Sequence, residues 1–89
     1  MTKQVNESLE HKLAYSTDEV AYHLSTHEHR VNLLRECGAI VGIKNGKGYI
    51  YSRKEIERFL EDYQGYDLQT ETNIKLAVAD VKRFKARKT

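Results

Sequence analysis

Residues 38–60 of the 89-residue chain read GAIVGIKNGKGYIYSRKEIERFL. Gly38 is a stop, Ile40-Val41-Gly42-Ile43 a short β-branched run, Asn45-Gly46-Lys47-Gly48 a turn, and Tyr49-Ile50-Tyr51 a second run. Both runs are too short for helices and flank a glycine-rich tip, the sequence form of a β-hairpin. Ser52-Arg53-Lys54-Glu55 then opens a helix with a capping box, and Ile56, Phe59, Leu60 and Tyr63 recur at i, i+3, i+4 and i+7. Lys44, Lys47 and Arg53 give the hairpin a positive charge, so it can reach towards a phosphate backbone. Periodicity leaves the register open. A two- or four-residue loop puts Ile50 on the face of Ile43, whereas a three-residue loop pairs Ile43 with Tyr51.

Upstream, Ser16-Thr17-Asp18-Glu19 is another capping box, opening a short helix over about Thr17 to Leu24 with Val20, Ala21 and Leu24 inward. Ser25 and Glu28 repeat the spacing, so a second helix is expected almost at once, with Val31, Leu34 and Cys37 inward and Gly38 ending it. Helix, tight turn, helix is the arrangement that sets a second helix in a major groove. Downstream, a polar link from Tyr66 to Gln69 leads to a last helix from about Thr70 or Thr72, striped by Ile74, Ala77, Val78, Val81 and Phe84. That stripe must be covered, by the chain's own core or by another chain.

Composition bounds the reading. Eighty-nine residues with 39% hydrophobic and 31% charged content suit one small core. Residues 1–13 are polar without period and are expected to form a flexible arm, with the main domain over 14–65 and an amphipathic helix with a basic tail over 70–88. No apolar run approaches the roughly 20 residues of a membrane span, and the first residues lack the apolar region of a signal peptide. The lone Cys37 excludes an intrachain disulfide and fits a reducing, cytoplasmic setting. The net charge is only +2, but it is unevenly spread: residues 1–30 are net negative, 31–60 net positive, and Lys82, Arg83, Lys85, Arg87 and Lys88 close the chain without an acid after Asp80.

Catalytic chemistry finds no foothold: there is no nucleophile with a base, no phosphate loop and no carboxylate pair to place in an apolar pocket. Asp18 and Glu19 answer the dipole of a helix start. Two residues apart on a helix, His27 and His29 diverge by about 200° and cannot share an ion. Cys37 is at no zinc spacing from them, so neither metal nor cofactor is expected. As groove contacts, His27, Glu28, His29, Arg30 and Asn32 fall on the first turns of the second helix, and Asn can read adenine while Glu can accept from a cytosine amino group. Arg35 is a further contact near that helix's end, and Lys44, Asn45, Lys47 and Arg53 supply the hairpin's contacts.

From Tyr15 to Leu60 the chain resembles the excisionase-type winged helix-turn-helix proteins, relatives of the MerR DNA-binding domain. The residues that carry the resemblance are Ser16-Thr17-Asp18-Glu19-Val20-Ala21, the helix ending at Gly38, the hairpin Ile43 to Tyr49, and the closing helix Arg53 to Leu60. The resemblance implies a mainly α fold with a small β-hairpin, the three-residue register, Tyr49 and Tyr51 inward and Lys44 outward. It further implies an architectural DNA-binding protein of a phage or mobile element that directs a recombinase towards excision without catalysis of its own. Double-stranded DNA, a recombinase and a second copy of the chain are the partners expected. Glu28, Leu33 and Ile50 depart from the family's usual residues. Two alternatives remain beside this one: a winged-helix transcription regulator or small terminase subunit, and a module that binds a recombinase, a polymerase or itself through the Ile74–Phe84 stripe, with Leu33 and Ile50 adding to its exposed apolar surface.

Overall fold

The computed structural model describes residues 12–88. The arm expected over 1–13 therefore lies outside the described residues up to position 11. In order, the elements are β1 (Ala14–Ser16), α1 (Thr17–His23), α2 (Glu28–Glu36), β2 (Ile43–Asn45), β3 (Gly48–Ser52), α3 (Arg53–Asp62) and α4 (Glu71–Lys88). Among the described residues this is a mixed α/β fold of four helices and one three-stranded antiparallel sheet in the order β1-β3-β2.

The hairpin forms where the sequence puts it, but its register corrects the one implied by the resemblance. Ile43 pairs with Ile50, Lys44 with Tyr49 and Asn45 with Gly48, which leaves a two-residue loop, Gly46-Lys47. Gly46 takes a positive φ of 66° and Lys47 does not. A glycine in that conformation at the first central position is the II′ pattern, whose twist matches the strands. The slip moves Lys44 to the face of Tyr49 and Tyr51 and sets Ile43 beside Ile50 on the other. β1 has no signal in the sequence, because three residues carry no readable period. It pairs Tyr15 with Tyr51 and Ser16 with Ile50, making β3 the central strand.

Two helix ends share one device. At the end of α2, the amide of Gly38 donates to Arg35 O and that of Ala39 to Leu34 O, with Gly38 at φ 88°. At the end of α1, the amide of Ser25 donates to Tyr22 O and that of Thr26 to Ala21 O, with Ser25 at φ 58°. Both are Schellman closures. Ser25 is thus the stop of α1, which overturns the Ser25/Glu28 capping box: α2 begins at Glu28 and its N-cap is His27. At the start of α1 the Ser16 amide does donate to the Glu19 carboxylate, at 2.9 Å. The Ser52 box is half formed: Ser52 Oγ accepts from the Glu55 amide, but the Glu55 carboxylate turns away to accept from the Val41 amide at 2.8 Å.

That carboxylate joins a charge cluster centred on Arg58. Arg58 donates to Glu55, to Asp62 at 2.8 Å and to the Ala39 carbonyl at 2.9 Å, and Lys85 of α4 meets Asp62 at 2.6 Å. The cluster ties α3 to the segment after α2 and to α4. Burial pushes the Glu55 carboxyl up, but the Arg58 and Val41 hydrogen bonds outweigh it and hold it below the usual range. The same balance, with Lys85 and Arg58 as donors, lowers Asp62.

The core joins Val20, Val31, Leu34, Ile40, Tyr51, Ile56 and Phe59 to Ile74, Ala77, Val78 and Val81 of α4. Leu60, expected on the inner stripe of α3, is 50% exposed. Val78 Cγ1 lies 3.9 Å from where a Cβ on Gly38 would stand, so α4 packs beneath the turn that closes α2. Burying each large aliphatic side chain is worth about 1.5–3 kcal/mol, enough to hold α4 on its own chain. The expected interaction stripe is corrected accordingly: Ile74, Ala77, Val78 and Val81 are core residues, and only Phe84, at 55%, is exposed. Among the described residues no helix is long and apolar enough to cross a membrane.

Two outcomes follow. A left-handed non-glycine residue costs about 1–2 kcal/mol, partly offset by glycine's greater chain entropy, so Ser25→Gly should raise stability by about 0.5–1 kcal/mol while Ser25→Val lowers it, read from denaturant midpoints. Because the folded-state pKa values of Glu55 and Asp62 are lowered, their contribution is complete above the ordinary values of 4.5 and 3.8 and is lost as pH falls through the depressed ones. Arg58→Met should cost about 1–3 kcal/mol at neutral pH, since it leaves the Ala39 carbonyl without its side-chain donor and the Glu55 carboxylate with only the Val41 amide. It should also flatten the acid limb of the stability curve; a limb as steep as the parent's would contradict the assignment.

Candidate nucleic-acid interface

The candidate contacts fall into three groups. His27, Glu28 and His29 are exposed at the start of α2. Because His27 is an extended N-cap at φ −130° and not a helical residue, the two imidazoles do not diverge as helical spacing predicts; they stack at 6.2 Å between centroids and 19° between planes. Among the described residues no group of three or more His, Cys, Asp or Glu side chains could hold a metal ion. Lys44, Asn45 and Lys47 are exposed at the hairpin tip, where the sheet extends past the core. Arg53, also exposed, lies 3.3 Å from Glu57, an i,i+4 pair that is exposed and therefore weak.

Arg30 and Arg35 are engaged within the fold. Arg30 donates to the carbonyls of Leu68 and Gln69, at 3.1 and 2.6 Å, and so anchors the link between α3 and α4. An arginine in the first turns of a groove-facing helix reads as a contact; what the sequence hides is a linker carbonyl 38 residues away waiting for a donor. Arg35 is only 18% exposed. It donates to Asn32 Oδ1 at 2.6 Å and to the Tyr51 hydroxyl at 3.3 Å, and its guanidinium lies 3.9 Å from the centroid of the Tyr49 ring. The Tyr51 hydrogen bond raises the Arg35 pKa despite partial burial, so the group keeps its charge.

Arg35 is therefore the point where α2 meets the hairpin. Tyr49 extends the joint outward, since Lys44 Nζ stands 5.0 Å from the centre of the same ring. Gly42 backs the joint from the other side: a Cβ there would lie 2.9 Å from Tyr51 Cε2 and 3.1 Å from Tyr49 Cδ2. In the sequence Gly42 reads as one member of the short β-branched run, and nothing local marks it as a packing position. The only signal for it is its place two residues after Ile40, facing an alternating Tyr-Ile-Tyr strand.

The basic tail is partly neutralised. Lys85 is held by Asp62 and Arg83 by Asp80 at 2.9 Å. Lys82 is exposed, and the side chains of Arg87 and Lys88 lie outside the described residues. The expected interaction site loses Leu33 as well, which packs against the core, while Ile50 is half-buried beside the exposed Ile43.

The joint makes a steric prediction. Gly42→Ala should cost about 1–3 kcal/mol, the range for overpacking a filled core. Gly48→Ala, with nothing within 4 Å of its Cβ, should change thermal stability much less. Equal losses in the two variants would mean that Gly42 is not pressed against the tyrosines. Comparison with protein-family models, with characterised proteins and with solved structures found no match for the chain.

Proposed function

We propose that this chain is a non-enzymatic, sequence-specific double-stranded DNA-binding protein of winged helix-turn-helix build. The first turn of α2 enters a major groove, and the hairpin from Ile43 to Ser52 is a wing on the neighbouring backbone. The observation that carries this reading is the union of two exposed surfaces through one joint. His27, Glu28 and His29 lead α2, Lys44, Asn45 and Lys47 form the hairpin tip, and Arg35 on Tyr49 and Tyr51 links the two elements. Phosphate contacts from a short cationic hairpin orient a protein on a duplex, and a helix start carries the side chains that meet base edges.

Within this class the reading favoured by the resemblance is an excisionase-like architectural factor that directs a site-specific recombinase in a phage or mobile element. Repression or packaging by the same fold is the alternative. The chemistry asked of the protein is positioning alone. The second reading, a protein-interaction module, retains the exposed apolar residues Leu76 and Phe84 of α4 and Val41 and Ile43 near the hairpin. It no longer has a continuous apolar stripe to stand on.

Titration with duplex DNA at two salt concentrations tests the DNA reading. Binding should weaken steeply with salt, and Lys44→Ala/Lys47→Ala should reduce both the affinity and the salt slope, by about 0.9 in log-log slope for each phosphate no longer neutralised. Salt-insensitive binding, or no binding to any duplex at low salt, would sink it and turn attention to a protein partner.

A further inference from the structure

We propose that Arg35 is a positioning residue that locks the hairpin to α2 and sets the donor edge of Asn32 for base reading, and that it is not a phosphate ligand. The inference rests on the DNA-binding reading above, but its mechanical half is a property of the free protein.

The geometry points to this in three steps. Arg35 is four-fifths covered, and its partners lie on two elements: Asn32 and, at 3.8 Å, the Glu36 carboxylate on α2, Tyr49 and Tyr51 on β3. A guanidinium 3.9 Å over an aromatic ring, with Nη1 donating to a hydroxyl and an amide oxygen and Nη2 beside the Glu36 carboxylate, is poorly placed to swing out to a phosphate. Arginine carries only donors, so the Asn32 atom that faces it must be the carbonyl oxygen. The Asn32 amide is thereby held in one of its two flips, with its Nδ2 hydrogens directed to other partners. Presented so, Asn32 favours the acceptors of the major-groove edge: N7 and O6 of guanine, N7 of adenine or O4 of thymine. The same side chain thus fixes the hairpin's angle and the polarity of one reading group. Lysine cannot replace it, because an ammonium has no plane to lay on Tyr49.

Arg35→Lys, which keeps the charge, and Tyr49→Leu, which keeps Arg35 but removes its platform, test the two halves. In the free protein, amide nuclear relaxation of residues 44–48 should show greater nanosecond mobility in both variants, with α3 and α4 unchanged. Hairpin relaxation like the parent's in both would overturn the lock. On duplex DNA, both variants should bind roughly tenfold more weakly, the scale of a single base-reading side chain, with the salt slope unchanged. Near-parental affinity in Arg35→Lys, or a slope reduced by about 0.9 in Arg35→Met, would instead identify a phosphate ligand and overturn the proposal. A parent protein that binds no duplex would remove the Asn32 half together with the DNA reading, and the relaxation data would still decide the lock.

Discussion

Tyr51 is the side chain on which the arrangement depends. It is among the largest fully buried side chains, on the central strand, and its strand is flanked on both sides by short ones that have no stability alone. Its ring fills the core against Gly42, and its hydroxyl takes the polar contact that burial requires, from Arg35. One residue thereby joins the sheet, the segment after α2 and the C-terminal end of α2. The hairpin beyond it extends from a fixed base.

Charge in this chain divides into two populations that its sum conceals. Arg30, Arg35, Arg58 and Lys85 hold elements together: a linker to α2, α2 to β3, and α3 to both the segment after α2 and α4. Lys44 and Lys47 at the tip, with Lys54 at the start of α3, are exposed and make no ion pair among the described residues. A protein of net charge +2 can still present a cationic face if most of the cations engaged within the fold are arginines and the hairpin's lysines are kept outside. The planar, many-donor guanidinium suits the first duty and the hydrated ammonium the second.

The helix ends show how a local signal can be right in kind and wrong in place. Ser-x-x-Glu occurs at Ser16, Ser25 and Ser52. At Ser16 the Glu19 carboxylate reaches back as expected; at Ser52 only the serine's half forms, because a cross-element amide at Val41 competes for Glu55. At Ser25 neither half forms, since that residue is needed as the left-handed stop of the preceding helix. The capping rule describes a residue's options, and long-range partners choose among them.

What the sequence determined by itself was everything set by short-range periodicity and turn chemistry: the short helix at Thr17, the glycine stop at Gly38, the hairpin about Gly46, and the amphipathic stripes of α3 and α4. These depend on residues within one or two turns of each other, so the pattern and its cause lie in the same stretch of chain. Tertiary structure alone decided the two-residue register, the third strand Ala14–Ser16, the burial of the α4 stripe on its own core, and the diversion of Arg30 and Arg35 from the surface to internal partners. Each of these is a choice between local states of similar energy. Interactions between residues far apart in the chain settle it, by burying apolar area and pairing polar groups that no local window contains.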